Sequence, residues 1–127
     1  MFDKCKNSKK KGDIGVAVAI STFVARGNTV LFPLSDSEPY DLVFDNGTLH
    51  KVQVRTTESQ QPNGNFRVNL RVMGGNQSFQ TIKRFDKNTV DFLFVLTKDG
   101  DKYLIPSTDI INVNSITLCQ KTERYKL

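Results

Sequence analysis

Residues 40–57 read YDLVFDNGTLHKVQVRTT: two β-rich arms, 40–44 and 48–57, joined by Asp45, Asn46 and Gly47. The length of that connection decides which side chains share a face, because a one-residue slip turns every side chain of a strand to the other side of its sheet. A two-residue Asn-Gly turn would pair Asp45 with Thr48 and set Leu42 and Phe44 beside Lys51, Gln53 and Arg55, mixing apolar and polar positions. A three-residue Asp-Asn-Gly loop, with Gly47 left-handed and a bulge, pairs Phe44 with Thr48 and restores order. Leu42, Phe44, Val52 and Val54 then form an apolar face, and Asp41, Lys51, Gln53 and Arg55 gather on the polar one. This predicts a half-buried hairpin whose polar face is free to carry chemistry.

Upstream, Ile14, Ala17, Val18, Ser21 and Val24 recur at helical spacing, Gly12 and Asp13 stand at the start and Gly27 stops the run. The spacing predicts a helix over 13–26. Val16, Ile20 and Phe23 make a second apolar stripe, so one side is expected to meet a sheet and the other a second subunit. Residues 1–11 carry Lys4, Lys6, Lys9, Lys10 and Lys11 and read as a flexible basic arm, suited to phosphates or simply to solubility. Residues 29–33, TVLFP, read as a short strand closed by proline before a polar loop, 34–39.

Downstream, Phe66, Val68, Leu70 and Val72 alternate with Arg67, Asn69 and Arg71, which predicts a half-buried strand with a basic outer face. Residues 73–84, MGGNQSFQTIKR, read as a loop or an irregular extension of the same ribbon. Residues 90–97, VDFLFVLT, are the most apolar run and the expected central strand, followed by a strand at 102–105 and a short helix at 107–112. The expected order is a helix, six strands and a last short helix, an α/β chain of the α+β mixed-sheet kind.

At 127 residues the chain suits one domain, 1–127, and is too short for two cores. Nothing approaches the ~20 apolar residues of a membrane helix, and no signal-peptide pattern opens the chain, so a cytoplasmic protein without a membrane partner is expected. Cys5, Cys119 and the lone His50 are too few for a zinc cluster or a disulfide framework, which leaves oxygen ligands for any metal. Eighteen Lys and Arg against 13 Asp and Glu, a charge of +5, favour a polyanionic partner. Many solvated surfaces are equally basic, so placement of the charge has to decide.

Phosphodiester cleavage by a hard cation needs oxygen donors beside the phosphate and a positive group to stabilise transition-state charge. The polar face of the hairpin offers such a set. Asp41, Gln53 and the Val54 carbonyl are candidate Mg2+ ligands, and Arg55 is the candidate cation. The same residues are also what any amphipathic hairpin presents to water. Asp36, Glu38 and Glu58 read as solvated acids, and His50, on the apolar face by parity, as a partly buried, hydrogen-bonded side chain without a chemical role.

The stretch KKGDIGVAVAISTFVARGNTVLFPLSDSEPYDLVFDNGTLHKVQVRTT, residues 10–57, resembles the N-terminal half of the small PD-(D/E)xK endonucleases associated with group I introns. There a glycine-marked helix, a YDL strand and a VQVKT strand follow in this order. KRFDKNTVDFLFVLTKDGDKYLIP, residues 83–106, resembles the closing strands of the same family, and together the two cover about 70 of 127 residues. The resemblance implies a restriction-endonuclease core, Mg2+-dependent cutting of both strands of duplex DNA, and homing of the intron that encodes the enzyme. It matches Asp41 to the family's metal-binding aspartate and Gln53 to the glutamine that replaces a second acid. Two positions depart. Arg55 stands at the usual lysine and keeps the charge but cannot act as a base. Val16, after the helix glycine Gly15, stands where the family has a glutamate, and it can neither bind metal nor orient water; Asp13 lies almost one turn earlier.

Arg67, Asn69 and Arg71 repeat on one face of an extended ribbon, which suits the major groove, where Arg reads guanine and Asn or Gln reads adenine. Gln77, Gln80, Lys83 and Arg84 at one end of the ribbon, with Lys9, Lys10 and Lys11 of the arm, supply further contacts to bases and phosphates. One centre per chain against two strands to cut implies a homo-oligomer, a dimer or tetramer. Three functions remain open on the residues: a Mg2+-dependent homing endonuclease, a catalytically inactive DNA-binding protein of the same fold, and a structural α/β protein with a basic surface.

Overall fold

The structure, a computed structural model, describes the backbone of residues 1–76, 79–83 and 85–127, and the side chains of residues 1–71 and 85–127. Helix α1 spans Ser8–Ala25, so it begins five residues before the expected 13. The reason is Asn7, which holds an extended conformation and accepts the Lys10 N–H on its side-chain oxygen at 2.9 Å. A cap satisfies donors that a helix start otherwise leaves orphaned, and lysines propagate a capped helix well. Lys9, Lys10 and Lys11 therefore lie in the first turns of α1 rather than in an unfolded arm, and Phe2 ahead of them is buried.

Of the two predicted stripes only Phe23 is fully buried, while Ile14, Val16, Val18 and Ile20 pack half-buried against the helix-side cluster and the fully buried face is drawn largely from other residues. That face is Gly15, Ala19, Thr22 and Phe23. Gly15 lets the helix approach the sheet so closely that a Cβ there would lie 2.7 Å from Thr56 Cγ2 and 3.1 Å from Val54 Cγ1. Gly15 and Ala19 carry no large-apolar periodicity, which is why the spacing found Phe23 but missed the close contact beside it.

Nine strands follow in chain order among the described residues: β1 (Thr29–Leu31), β2 (Leu42–Asp45), β3 (Leu49–Thr57), β4 (Phe66–Asn69), β5 (Val72–Asn76), β6 (Phe79–Lys83), β7 (Phe92–Thr97), β8 (Lys102–Pro106) and β9 (Ser115–Leu118). The main sheet has five strands in the order β1-β2-β3-β7-β8, with β3 and β7 parallel and the other neighbours antiparallel. β7 is an interior strand, beside the middle strand β3, and its unbroken apolar sequence follows from the apolar clusters that cover both its faces. The hairpin pairs Leu42 with Val52, Phe44 with His50 and Asp45 with Leu49. Its three-residue loop is therefore Asn46, Gly47 and Thr48, not Asp45 to Gly47, and Gly47 takes a φ of +106°. Because the register moves by two, the parity stands and the two faces keep the side chains assigned to them.

The sheet separates two apolar clusters. On the helix side Leu42, Phe44, Val52, Val54, Phe94 and Leu96 pack with Ala19 and Phe23, whose ring stacks on Phe44 at 4.4 Å between centroids. On the other side Leu93, Val95, Tyr103 and Ile105 meet Phe66, Val68, Leu70, Phe85 and Leu118. The single expected strand through residue 72 is instead broken. Leu70 turns its N–H to Asn114 O at 2.9 Å and Asn69 Oδ1 accepts the Arg71 N–H at 3.0 Å, which ends β4 and starts a second ribbon, β5 paired with β6. Residues 73–76 and 79–83 thus lie in paired strands rather than in a loop or an irregular extension of the first ribbon. The partner of β4 is β9, a short strand absent from the sequence reading, and the expected helix at 107–112 reduces to one 3₁₀ turn, Ser107–Asp109. A second 3₁₀ segment, Gln120–Tyr125, was likewise not foreseen.

Candidate active site

The chain bends at Asp41 just before β2. Its N–H donates to Val52 O at 2.9 Å, and its carboxylate Oδ2 accepts the Val54 N–H at 2.7 Å. The register of β2 ends at Leu42 opposite Val52, so no strand residue reaches Val54 and the Asp41 side chain supplies the missing acceptor. The local sequence thereby fastens a carboxylate to the edge of β3. One residue further on, the Val54 carbonyl accepts Arg55 Nη1 at 3.2 Å.

Gln53 and Arg55 are half-buried and line a hollow of about 550 Å3, with Leu70 and Phe85 at its apolar side and Asp36, Glu38, Asp86 and Thr89 at its polar side. Asp41 lines a neighbouring hollow of about 250 Å3 with Phe32, Leu34, Tyr40 and again Asp36, so the two hollows meet at the 34–39 loop. Burial pushes the Arg55 guanidinium below its ordinary pKa, and the charge of Asp41 works against that shift. Arginine starts so high that it stays protonated in the working range.

Of the residues singled out from sequence, Asp41, Gln53, Val54 and Arg55 come together around one stretch of β3. Val16 is not among them: it packs half-buried against the helix-side cluster, an apolar side chain among apolar neighbours, and Asp13 is exposed. Asp36 and Glu38, read as solvated acids, are exposed but stand on the wall of the hollow that Gln53 and Arg55 line. Asp86 and Thr89 join that wall without any signal in the sequence, since only the chain's return toward β7 brings them there. Lys11 forms an ion pair with Glu58, while Lys9 and Lys10 are exposed. Arg67, Asn69 and Arg71 are exposed along β4 and its end. Gln77 and Arg84 lie outside the described residues, as do the side chains of Gln80 and Lys83. His50 packs its ring 4.8 Å from Phe44 and 5.5 Å from Phe92, with Nε2 3.1 Å from Asn46 Oδ1, as a partly buried structural histidine does.

Among the described residues no three His, Cys, Asp or Glu side chains cluster in the manner of a metal site. A cation at β3 would rest on the Asp41 carboxylate, the Gln53 amide oxygen and the Val54 carbonyl. These are all hard oxygen donors, so the donor chemistry fits a hard divalent ion and not zinc. Nor is any helix of the described residues long and apolar enough to cross a membrane.

A mixed sheet with one helix packed on it, an aspartate just before β2 and a Gln-Val-Arg triplet on β3 stand in the order that the resemblance to PD-(D/E)xK endonucleases implies. A family model described as PD-(D/E)XK endonuclease matches residues 6–126, and the chain belongs to that family. Among solved structures it is similar to a bacterial homing endonuclease, I-Ssp6803I, with a TM-score of 0.77 and 31% sequence identity over 93% of this chain and 82% of the other. No curated protein matches the chain.

Proposed function

We propose that this chain is a site-specific endonuclease of the homing type, which hydrolyses phosphodiester bonds of duplex DNA in the cytoplasm with Mg2+ and acts as a homo-oligomer. The observation that carries the reading is the Asp41 carboxylate pinned to the Val54 N–H, beside Gln53, the Val54 carbonyl and Arg55, where two solvent-open hollows meet. When bound, Mg2+ supplies polarisation of the phosphate and activation of a water. The chain's own residues do the rest. Asp41 and Gln53 orient the site, and Arg55, which cannot take up a proton, holds negative charge on the scissile phosphate. One carboxylate is a weak cage for a divalent ion, so the substrate phosphate is expected to complete the ion's coordination. Exposed apolar side chains at Leu31, Phe32 and Leu34, close together along the chain, support contact between copies.

A second reading is a DNA-binding protein of the same fold without catalysis. It is favoured by Val16, whose side chain packs in an apolar cluster, and by the contact of Arg55 with the carbonyl proposed as a metal ligand. One comparison separates the two readings: Mg2+-dependent cleavage of a randomised duplex library by this chain, by Val16→Glu, by Arg55→Lys and by the double variant. Defined cuts by the unaltered chain establish the first reading. Cuts by the double variant alone, with duplex binding by all four, establish the second.

A further inference from the structure

β9 lies across from β4, with Ser115 opposite Asn69 and Thr117 opposite Arg67. Together with Ser59 and Asn114, the residues Arg67, Asn69, Arg71 and Ser115 wall a groove of about 330 Å3, and none of these lining residues is acidic. The solvent-facing acceptor atoms of Asn69 and Ser115 are already engaged. Asn69 Oδ1 takes the Arg71 N–H at 3.0 Å, which fixes the amide so that its NH2 is the free end. Ser115 Oγ lies 3.4 Å from Arg67 Nη2 and accepts from it, leaving its own O–H to donate. Ser59 O takes the Arg67 N–H at 2.9 Å, while Asn114 Oδ1 has no hydrogen-bond partner but is buried out of a ligand's reach. What remains to meet a ligand is a set of donors: two guanidinium groups, an amide NH2 and hydroxyls.

A groove whose solvent-facing groups donate, which carries two arginines and has no carboxylate among its described lining residues, selects an anion with several acceptor oxygens. We propose that it anchors a backbone phosphate of duplex DNA other than the one whose bond is cut. The proposal rests on the nuclease reading above and adds to it a phosphate anchor that Asn114 and Ser115, from the C-terminal strand, complete. It also changes the role expected of Asn69. Reading adenine takes the carbonyl and the NH2 of the amide together, and here the carbonyl is turned back onto the Arg71 backbone. A phosphate needs donors alone, and contacts to phosphates set position and affinity without reading sequence.

The test is duplex affinity of the full chain, measured by fluorescence anisotropy without Mg2+ over a range of salt. Two probes are used: a duplex selected from a random pool by the unaltered chain, and a scrambled duplex of equal composition. Arg67→Ala is expected to weaken both by the same factor, about tenfold at low salt, and to lower the salt slope by about 1. Ser115→Glu, which places a carboxylate in the groove, is expected to weaken both further. Arg67→Lys is expected to recover most of the loss, since a phosphate accepts a point charge and a bidentate guanine contact does not. Weakening confined to the selected duplex, or no recovery by lysine in a variant of unchanged melting temperature, overturns the phosphate assignment. Unchanged affinity in all variants removes the groove from the interface while leaving the nuclease reading intact. An unaltered chain that binds neither duplex overturns both.

Discussion

The Asp41 carboxylate takes the place of a strand: its Oδ2 receives the Val54 N–H at 2.7 Å, where β2 has no residue left to offer. Asp41 therefore has a structural duty besides any duty toward a cation, and the two can be separated. Asp41→Ala is expected to abolish Mg2+-dependent cleavage and to cost about 1 kcal/mol of stability by leaving the Val54 N–H without its acceptor. Asp41→Asn keeps a carbonyl oxygen for Val54 and loses the charge, so it is expected to melt close to the unaltered chain yet remain as inactive as the alanine variant. Cleavage assays beside thermal melts check both halves.

Arg55 is desolvated by burial, which pushes its guanidinium below the ordinary value, while Asp41 pulls the other way. An arginine starts so high that it stays charged throughout the working range, and cleavage is expected to show no step from this group between about pH 6 and 10. A lysine at the same place inherits the same burial and starts about two units lower. Its ammonium is therefore expected to lose its proton at a lower pH than a free lysine does. Cleavage by Arg55→Lys should accordingly rise with pH as the amine becomes free to act as a base. A pH–rate profile of the two proteins decides the point; identical profiles would rule out a base at this position.

Two glycines of α1 should respond oppositely to alanine. At Gly15 a Cβ meets Thr56 Cγ2 at 2.7 Å and Val54 Cγ1 at 3.1 Å, both on β-branched side chains with little freedom to yield. Overpacking of about 1–3 kcal/mol outweighs a helix-propensity gain of about 1 kcal/mol, so Gly15→Ala is expected to lower the melting temperature by several degrees. At Gly12 a Cβ would meet nothing within 4 Å, so Gly12→Ala keeps the propensity gain and should raise it.

Leu34 is fully exposed and Phe32 more than half exposed, on the loop that borders the Asp41 hollow. Neither contributes to the apolar clusters, so replacing both with serine is expected to change the stability of the isolated chain by no more than about 0.5 kcal/mol. If copies of the chain meet there, the same change lowers the mass seen by sedimentation equilibrium. A mass that stays put shows that the assembly uses another surface.

Much of this protein is local and could be read directly. Parity along residues 40–57 placed Leu42, Phe44, Val52 and Val54 inside and Gln53 and Arg55 on the opposite face, because the two-residue period of a strand survives an even shift in register. The apolar run of residues 92–97 announced a strand covered on both sides, and the family's motifs lay in order along the chain. The start of α1 was also written locally, in Asn7, but five lysines masked it as an unfolded arm.

Tertiary structure alone decided the rest. Which face of α1 is buried depended on the shape of its contact with Val54 and Thr56, which selects glycine and alanine rather than large apolar residues. β9 becomes a strand only because β4 is there to pair with it, and residues 115–118 are too short and too polar to declare themselves. The walls of the hollow beside Arg55 and of the groove beside Arg67 are drawn from segments far apart in the chain. Periodicity reports on which side of its own element a residue lies. It carries no information about what another element brings to that side, and a site is made of exactly such meetings.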